Sequence, residues 1–279
     1  MQSYRYLRAQ GSPVTFQIGT EAWLKKRLDH LNQDQGSQVS AHPIATQLEK
    51  IADSKSDEVV LWFDYDMFCQ INHLAALAFL SQSGFNGTIS LINTKDHCLP
   101  GLELSSMKAK EWSDAFEYRQ KVSEGAAEFG LNWWKHYCSD DHRPLFQMLS
   151  YSPPLLPHLG FAMLAHSGRF PRRSNGISDY EKMVLEVLSK GPLSLKELMR
   201  NIFSKTHWIG YGDTQHFRHL SRLHPFIYKD EMHYSLTAEG LSMLNGELIA
   251  SIINREEFYG GCRESRHFAE DLLDIVPGI

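Results

Sequence analysis

The sequence predicts an α/β segment with a short parallel sheet, followed by a mainly α winged-helix domain. Three observations carry this. A continuous apolar run, EVVLWF (58–63), is followed by a helical pattern and a second apolar run at βαβ spacing. Two Ser-x-x-Glu capping boxes stand sixteen residues apart, at Ser178/Glu181 and Ser194/Glu197. A hairpin-like stretch and a further helix cap close the third helical segment.

The first run is the pattern of a strand buried on both faces. Asp64-Tyr65-Asp66 ends it, and the spacing of Met67, Phe68, Ile71, Leu74, Ala75, Ala78 and Phe79 predicts a helix over 67–81. After Gly84 comes a strand over 88–92, parallel to the first. Upstream, residues 20–31 suit a helix and 32–42 a polar loop. From 108 to 136 the pattern is helical, with Trp112, Phe116, Phe129, Trp133 and Trp134 read as core. The prolines in 151–154 break the chain before a helix over 155–166. Residues 168–176, with proline, two glycines and three arginines, are the linker expected between a domain at 1–167 and one at 177–279.

In the second part, helices run from the Ser178 box to about Lys190 and from the Ser194 box to about Phe203. A third runs from Asp213 to about Leu223. Residues 226–236 form a hairpin turning at Asp230-Glu231, and Thr237 caps a closing helix. This order is the winged variant of the helix-turn-helix.

Bulk composition narrows the function classes. The 279 residues are 42% hydrophobic and carry a net charge of −5, so the chain is neither disordered nor a strongly basic nucleic-acid binder. Cys69, Cys98, Cys138 and Cys262 form no C-x-x-C pair, which points to reduced thiols instead of a disulfide framework or a zinc knuckle. No secretory leader is read at the start. The most apolar stretch, 73–80, falls short of the about 20 residues a bilayer requires. A cytoplasmic protein with no membrane partner is expected.

The motif EVVLWFDYDMFCQIN (58–72) resembles the signature of the bacterial domain-of-unknown-function family 1835. FPRRSNGIS (170–178), GYGDTQHFRHLSRL (210–223) and FYGG (258–261) fit the same resemblance. It implies kinship over most of the chain from Glu58 onward and brings no activity with it. Members of that family begin with a strand and a Gly-Asp pair, a start that this sequence does not show.

Three constellations are candidates for function. In open α/β sheets, ligands sit beyond the carboxyl ends of the strands. Asp64 and Asp66 lie there, with Gln70, Asn72 and His73 in the following helix and Asn93 and Thr94 ending the second strand. Carboxylate, amide and imidazole together suit a metal, a nucleotide or a phosphate ester. The plainer reading makes Asp66 a helix cap and the amides structural. No phosphate-binding glycine loop is present, and no cofactor or resident metal is expected. His136, Cys138 and His142 have loose metal spacing but lack a second pair, and carboxylates near Cys69 disfavour a nucleophilic thiol.

The second constellation is the third helix of the winged module. With Phe217, Leu220 and Leu223 inward, Thr214, Gln215, Arg218 and Arg222 face out as base and phosphate readers, with Lys229 on the hairpin reaching a neighbouring phosphate. Against this, residues 177–247 hold eight Lys plus Arg and nine Asp plus Glu, so double-stranded DNA competes with a protein partner or self-association. The third is Arg169, Arg172 and Arg173, either an anion site or a solvated hinge. The leading expectation is a regulator whose winged helix contacts DNA. The alternatives are an interaction module in an assembly and an enzyme or ligand site at Asp64 and Asp66.

Overall fold

Two parallel strands and the helix between them frame the first half. In a computed structural model of the chain, β1 (Glu58–Phe63), α2 (Met67–Gln82) and β2 (Thr88–Asn93) form the expected βαβ unit. The register Glu58↔Thr88 to Phe63↔Asn93 brings the carboxyl ends of both strands flush. The structure describes residues 15–35, 46, 48–51, 56–93, 104–122, 125–151, 156–249 and 256–276. Thr94, Cys98 and the prolines at 153 and 154 lie outside them, as does most of the loop expected at 32–42.

A short β3 (Gln120–Lys121) pairs antiparallel with β2, so the sheet is mixed, in the order β1-β2-β3. Its two faces follow the period of two along β1. Leu61 and Phe63 join the main core under α2, while Val60 and Trp62 pack with Met107, Trp112 and Ala115 on the other side. That second layer comes from α3 (Ala109–Glu117), where Trp112 meets Trp62 at 4.8 Å between ring centroids. The helical stretch expected over 108–136 is therefore two helices, α3 and α4 (Ala126–Tyr137), separated by β3. Trp133 and Trp134 are buried as expected; Phe116 is exposed. Helix α4 lies hard against α2, and a Cβ at Gly130 would overlap the Leu77 side chain. The N-terminal α1 (Glu21–Gln35) contributes Trp23 to the same core, and the Trp134 indole donates to the Phe16 carbonyl at 3.1 Å.

Helices α5 (Arg143–Tyr151) and α6 (Leu159–Ser167) lead into 168–176. This segment is not a solvated hinge. Arg169, Phe170 and Pro171 are buried, and the Asp179 amide donates to the Gly168 carbonyl at 2.9 Å. Its proline, glycine and arginine content has the composition of a loop, and composition does not report burial.

The second half runs α7 (Asp179–Leu188), β4 (Leu193–Ser194), α8 (Leu195–Thr206), α9 (Asp213–Arg222), β5 (Ile227–Lys229), β6 (His233–Leu236) and α10 (Ala238–Leu244). Both capping boxes are formed, at Ser178/Glu181 and Ser194/Glu197, and the Thr237 hydroxyl accepts from the Gly240 amide. The hairpin gains β4 as a third strand, in the antiparallel order β4-β6-β5. Residues 256–276 then fold back: β7 (Phe258–Tyr259) and β8 (Cys262–Arg263) make a hairpin whose Gly261 amide donates to the Tyr137 carbonyl, and α11 (Ala269–Leu273) docks through the Ala269 amide on the Pro171 carbonyl. One buried cluster extends from Ile18 to Val276 through both halves. Among the described residues, no helix is long and apolar enough to cross a membrane.

Candidate functional site

The end of β1 is where the chain gathers its polar groups. Asp66 is the N-cap of α2, and its Oδ1 accepts from the Cys69 amide at 2.9 Å. Asp64 Oδ1 accepts from the Leu104 amide at 2.9 Å, while its carbonyl accepts from Gln70 Nε2 at 2.9 Å. The ligand atoms of Asp64, Asp66 and Cys69 all lie within 4.8 Å of one another. At 100° per residue, Asp66, Cys69, Gln70 and His73 form one stripe of α2. Asn72 lies off that stripe, buried, with Oδ1 unpartnered. The backbone of Asn93 stands beside Phe63 at the matching end of β2; its side chain lies outside the described residues.

Burial dominates the electrostatics here. It raises the Asp66 carboxyl above its ordinary value, aided by Asp64, and with Asp66 it raises the Cys69 thiol far above the usual range. His73 is pushed down to about 3 by burial alone; its ring stacks on Phe63 at 4.6 Å, and neither nitrogen has a partner.

The second half covers this strand end. The Met67 amide donates to the Trp208 carbonyl at 2.9 Å, and Gly210, at φ +74°, lies so close that a Cβ there would overlap Asp66 Oδ1. Only glycine meets both conditions, the left-handed backbone and the absent side chain. The rings of His158 and His207 flank Tyr65 at 6.4 and 6.3 Å between centroids.

No protein-family model, curated protein or solved structure matches this chain.

On α9 the structure corrects the expected face. Leu220 and Leu223 point inward as read, but so do His216 and His219, while Phe217 is 43% exposed. The helix is turned by about half a residue, roughly 50°, from the expected orientation. Arg222 is consequently an interior residue and not a phosphate reader. Its side chain is 11% exposed, and Nη2 donates to both oxygens of Glu264 at 2.9 and 2.7 Å. Glu257 and Glu181 stand 3.5 and 3.8 Å away. Burial opposes the Arg222 charge, but Glu264, with Tyr259, Glu181 and Glu257, outweighs it and keeps the guanidinium ionised. Arg218 faces Glu257 at 3.7 Å. Gln215 turns back to accept from the Gly212 amide at 2.9 Å, closing the helix start. Thr214 and Lys229 remain exposed, the Lys229 ammonium 5.5 Å from the Tyr234 ring. Neutral imidazole stacks well, and here His216 and His219 both pack on Tyr180 and Tyr211.

The three arginines of 168–176 are engaged within the chain. Arg172 makes a two-point pair with Asp179, at 2.9 and 2.8 Å, and Arg173 pairs with Asp271. Arg169 is buried with its guanidinium 3.8 Å over the Tyr259 ring, and its Nε and Nη2 have no hydrogen-bond partner. Close by, His142 Nε2 lies 3.0 Å from the Tyr137 carbonyl, which can only accept, so that nitrogen carries the proton. His142 Nδ1 then accepts from His166 Nε2 at 2.9 Å. Burial holds His142 down to about 3 and His166 well below its ordinary value. This pair engages His142, one of the three groups that had given 136–142 its loose metal spacing.

Proposed function

We propose that the chain is a two-part regulator in which the end of β1 receives the input and a C-terminal winged helix gives the output. One observation carries the reading: residues 206–211, the turn between the second and third helices of the proposed winged helix, lodge on the Asp66 cap through Trp208 and Gly210. A change of charge or occupancy at Asp66 acts directly on the turn that orients α9. The order of three helices, hairpin and closing helix supports the winged-helix assignment. With it we propose kinship with family 1835, on the motif at 58–72.

For the output, we favour protein contact over duplex DNA. The arginines nearest α9 are committed to glutamates, and phosphate neutralisation drives duplex binding. The outward side chains around α9 include large aromatics: Phe203, Trp208 and Phe217 are 41%, 38% and 43% exposed. Large exposed aromatics of this kind are common at contact surfaces.

Hydrogen exchange tests the coupling. Asp66→Asn is expected to speed amide exchange in 206–222 as well as at the start of α2. Exchange that changes only in α2 removes the coupling and the proposed function with it. Polarisation titrations of random duplex DNA across salt test the output: weak, flat binding is expected, and a steep salt slope would establish DNA as the partner.

A further inference from the structure

The stripe on α2 holds one group that neither capping nor packing uses. Gln70 is fully buried, and its Nε2 bond to the Asp64 carbonyl fixes the amide at the strand end. Its Oε1 has no hydrogen-bond partner. An unpaired buried acceptor costs about 1–3 kcal/mol, and a carbonyl oxygen answers either a donor or a cation. The Nε2 bond holds this amide against Asp64, whose carboxylate has its ligand atoms within 4.8 Å of those of Asp66 and Cys69.

We propose that Asp64, Asp66 and Cys69 bind a divalent transition-metal ion of the zinc kind, with Gln70 Oε1 turned toward it as a fourth donor; this rests on reading the β1 end as the input site. Sulfur decides the class. Calcium and magnesium take six or more oxygens, whereas zinc takes about four ligands and accepts thiolate and carboxylate together. Bonds of about 2.0–2.3 Å place tetrahedral ligands about 3.3–3.8 Å apart, so the three side chains close inward by small rotations. The metal–sulfur bond replaces the thiol S–H bond, and that proton leaves to solvent. The two carboxylates beside Cys69 become its co-ligands. Because Asp66 also touches Gly210, the metal would sit against the turn at 206–211 and supply its input.

The test uses the full chain and Co²⁺ as probe, reading the near-ultraviolet thiolate-to-cobalt charge-transfer band. One equivalent with that band is expected in the wild type and in Cys138→Ser, with loss of the band in Cys69→Ser and weakened binding in Asp64→Asn. No band in the wild type, or a band that survives Cys69→Ser, overturns the proposal. Should Cys69→Ser not fold, ¹¹³Cd resonance of the wild-type chain reads the donor set directly. A shift typical of one sulfur among oxygens supports the site, and an all-oxygen shift or no bound signal rejects it. The exchange experiment on Asp66→Asn is run without metal, so the metal and the coupling fail independently.

Discussion

At Arg222 a charge that looks like a surface group from its sequence position becomes an interior one, because its partners lie far along the chain. Glu264 is 1% exposed and depends on Arg222 for its neutralisation. Breaking a buried pair from one side leaves an uncompensated ion, at a cost of about 3–5 kcal/mol. Arg222→Ala is therefore expected to lower the urea midpoint severely, whereas Arg218→Ala, at a 30% exposed position, changes stability by about 1 kcal/mol or less. Equal small effects from both would show that the Arg222–Glu264 pair is not as buried as described. The helical period of α9 was legible from Leu220 and Leu223. Its rotation was not, since it is set by Tyr180, Tyr211 and residues 257–264, which no local pattern reveals. At the strand end, Asp64, Asp66 and Gln70 were found from topology alone. Cys69 was weighed only as a nucleophile, although its i+3 spacing from Asp66 already placed it beside the carboxylate.

Among the elements, the turn at 206–211 is the piece that local rules describe least. Helix α8 runs past the expected Phe203 to Thr206, and Gly210 supplies the left-handed residue after it. Gly210→Ala faces two penalties, the positive φ and the overlap with Asp66. Gly84 has a similar φ of +70° and nothing within 4 Å of a new Cβ, so Gly84→Ala measures the backbone cost by itself, about 1–2 kcal/mol. Chemical denaturation of the two variants should show Gly210→Ala the weaker, and equal losses would mean that the turn does not press on Asp66. The regular elements were far easier to read. β1, α2 and the Ser178 and Ser194 starts follow from apolar runs and caps that are complete within a few residues. β3 and β4 are two-residue strands defined only by their neighbours, and sequence periodicity has no purchase on them.

For the whole molecule, the buried histidines tie stability to pH. His73, His142, His166 and His216 are all held below their ordinary value by burial, His73 and His142 to about 3 and His216 to about 4. Unfolded, each protonates near pH 6.5, so the unfolded state binds protons that the folded state refuses. Stability is thus intact above about pH 6.5 and falls as pH drops from there toward about 4, by about 1.4 kcal/mol per pH unit for each such histidine. Urea midpoints at pH 7.5, 6.0 and 5.0 should decline in step, and a flat profile would place these rings in contact with water. The return of residues 256–276 onto Tyr137, Pro171 and Arg222 has a further meaning for biosynthesis. A chain emerging from the ribosome exposes Arg222 some forty residues before Glu264 can reach it. The interior charge stays without its two-oxygen partner until residues 256–276 have cleared the exit tunnel. A protease that cuts before residue 256 would likewise turn a finished core back into an open one.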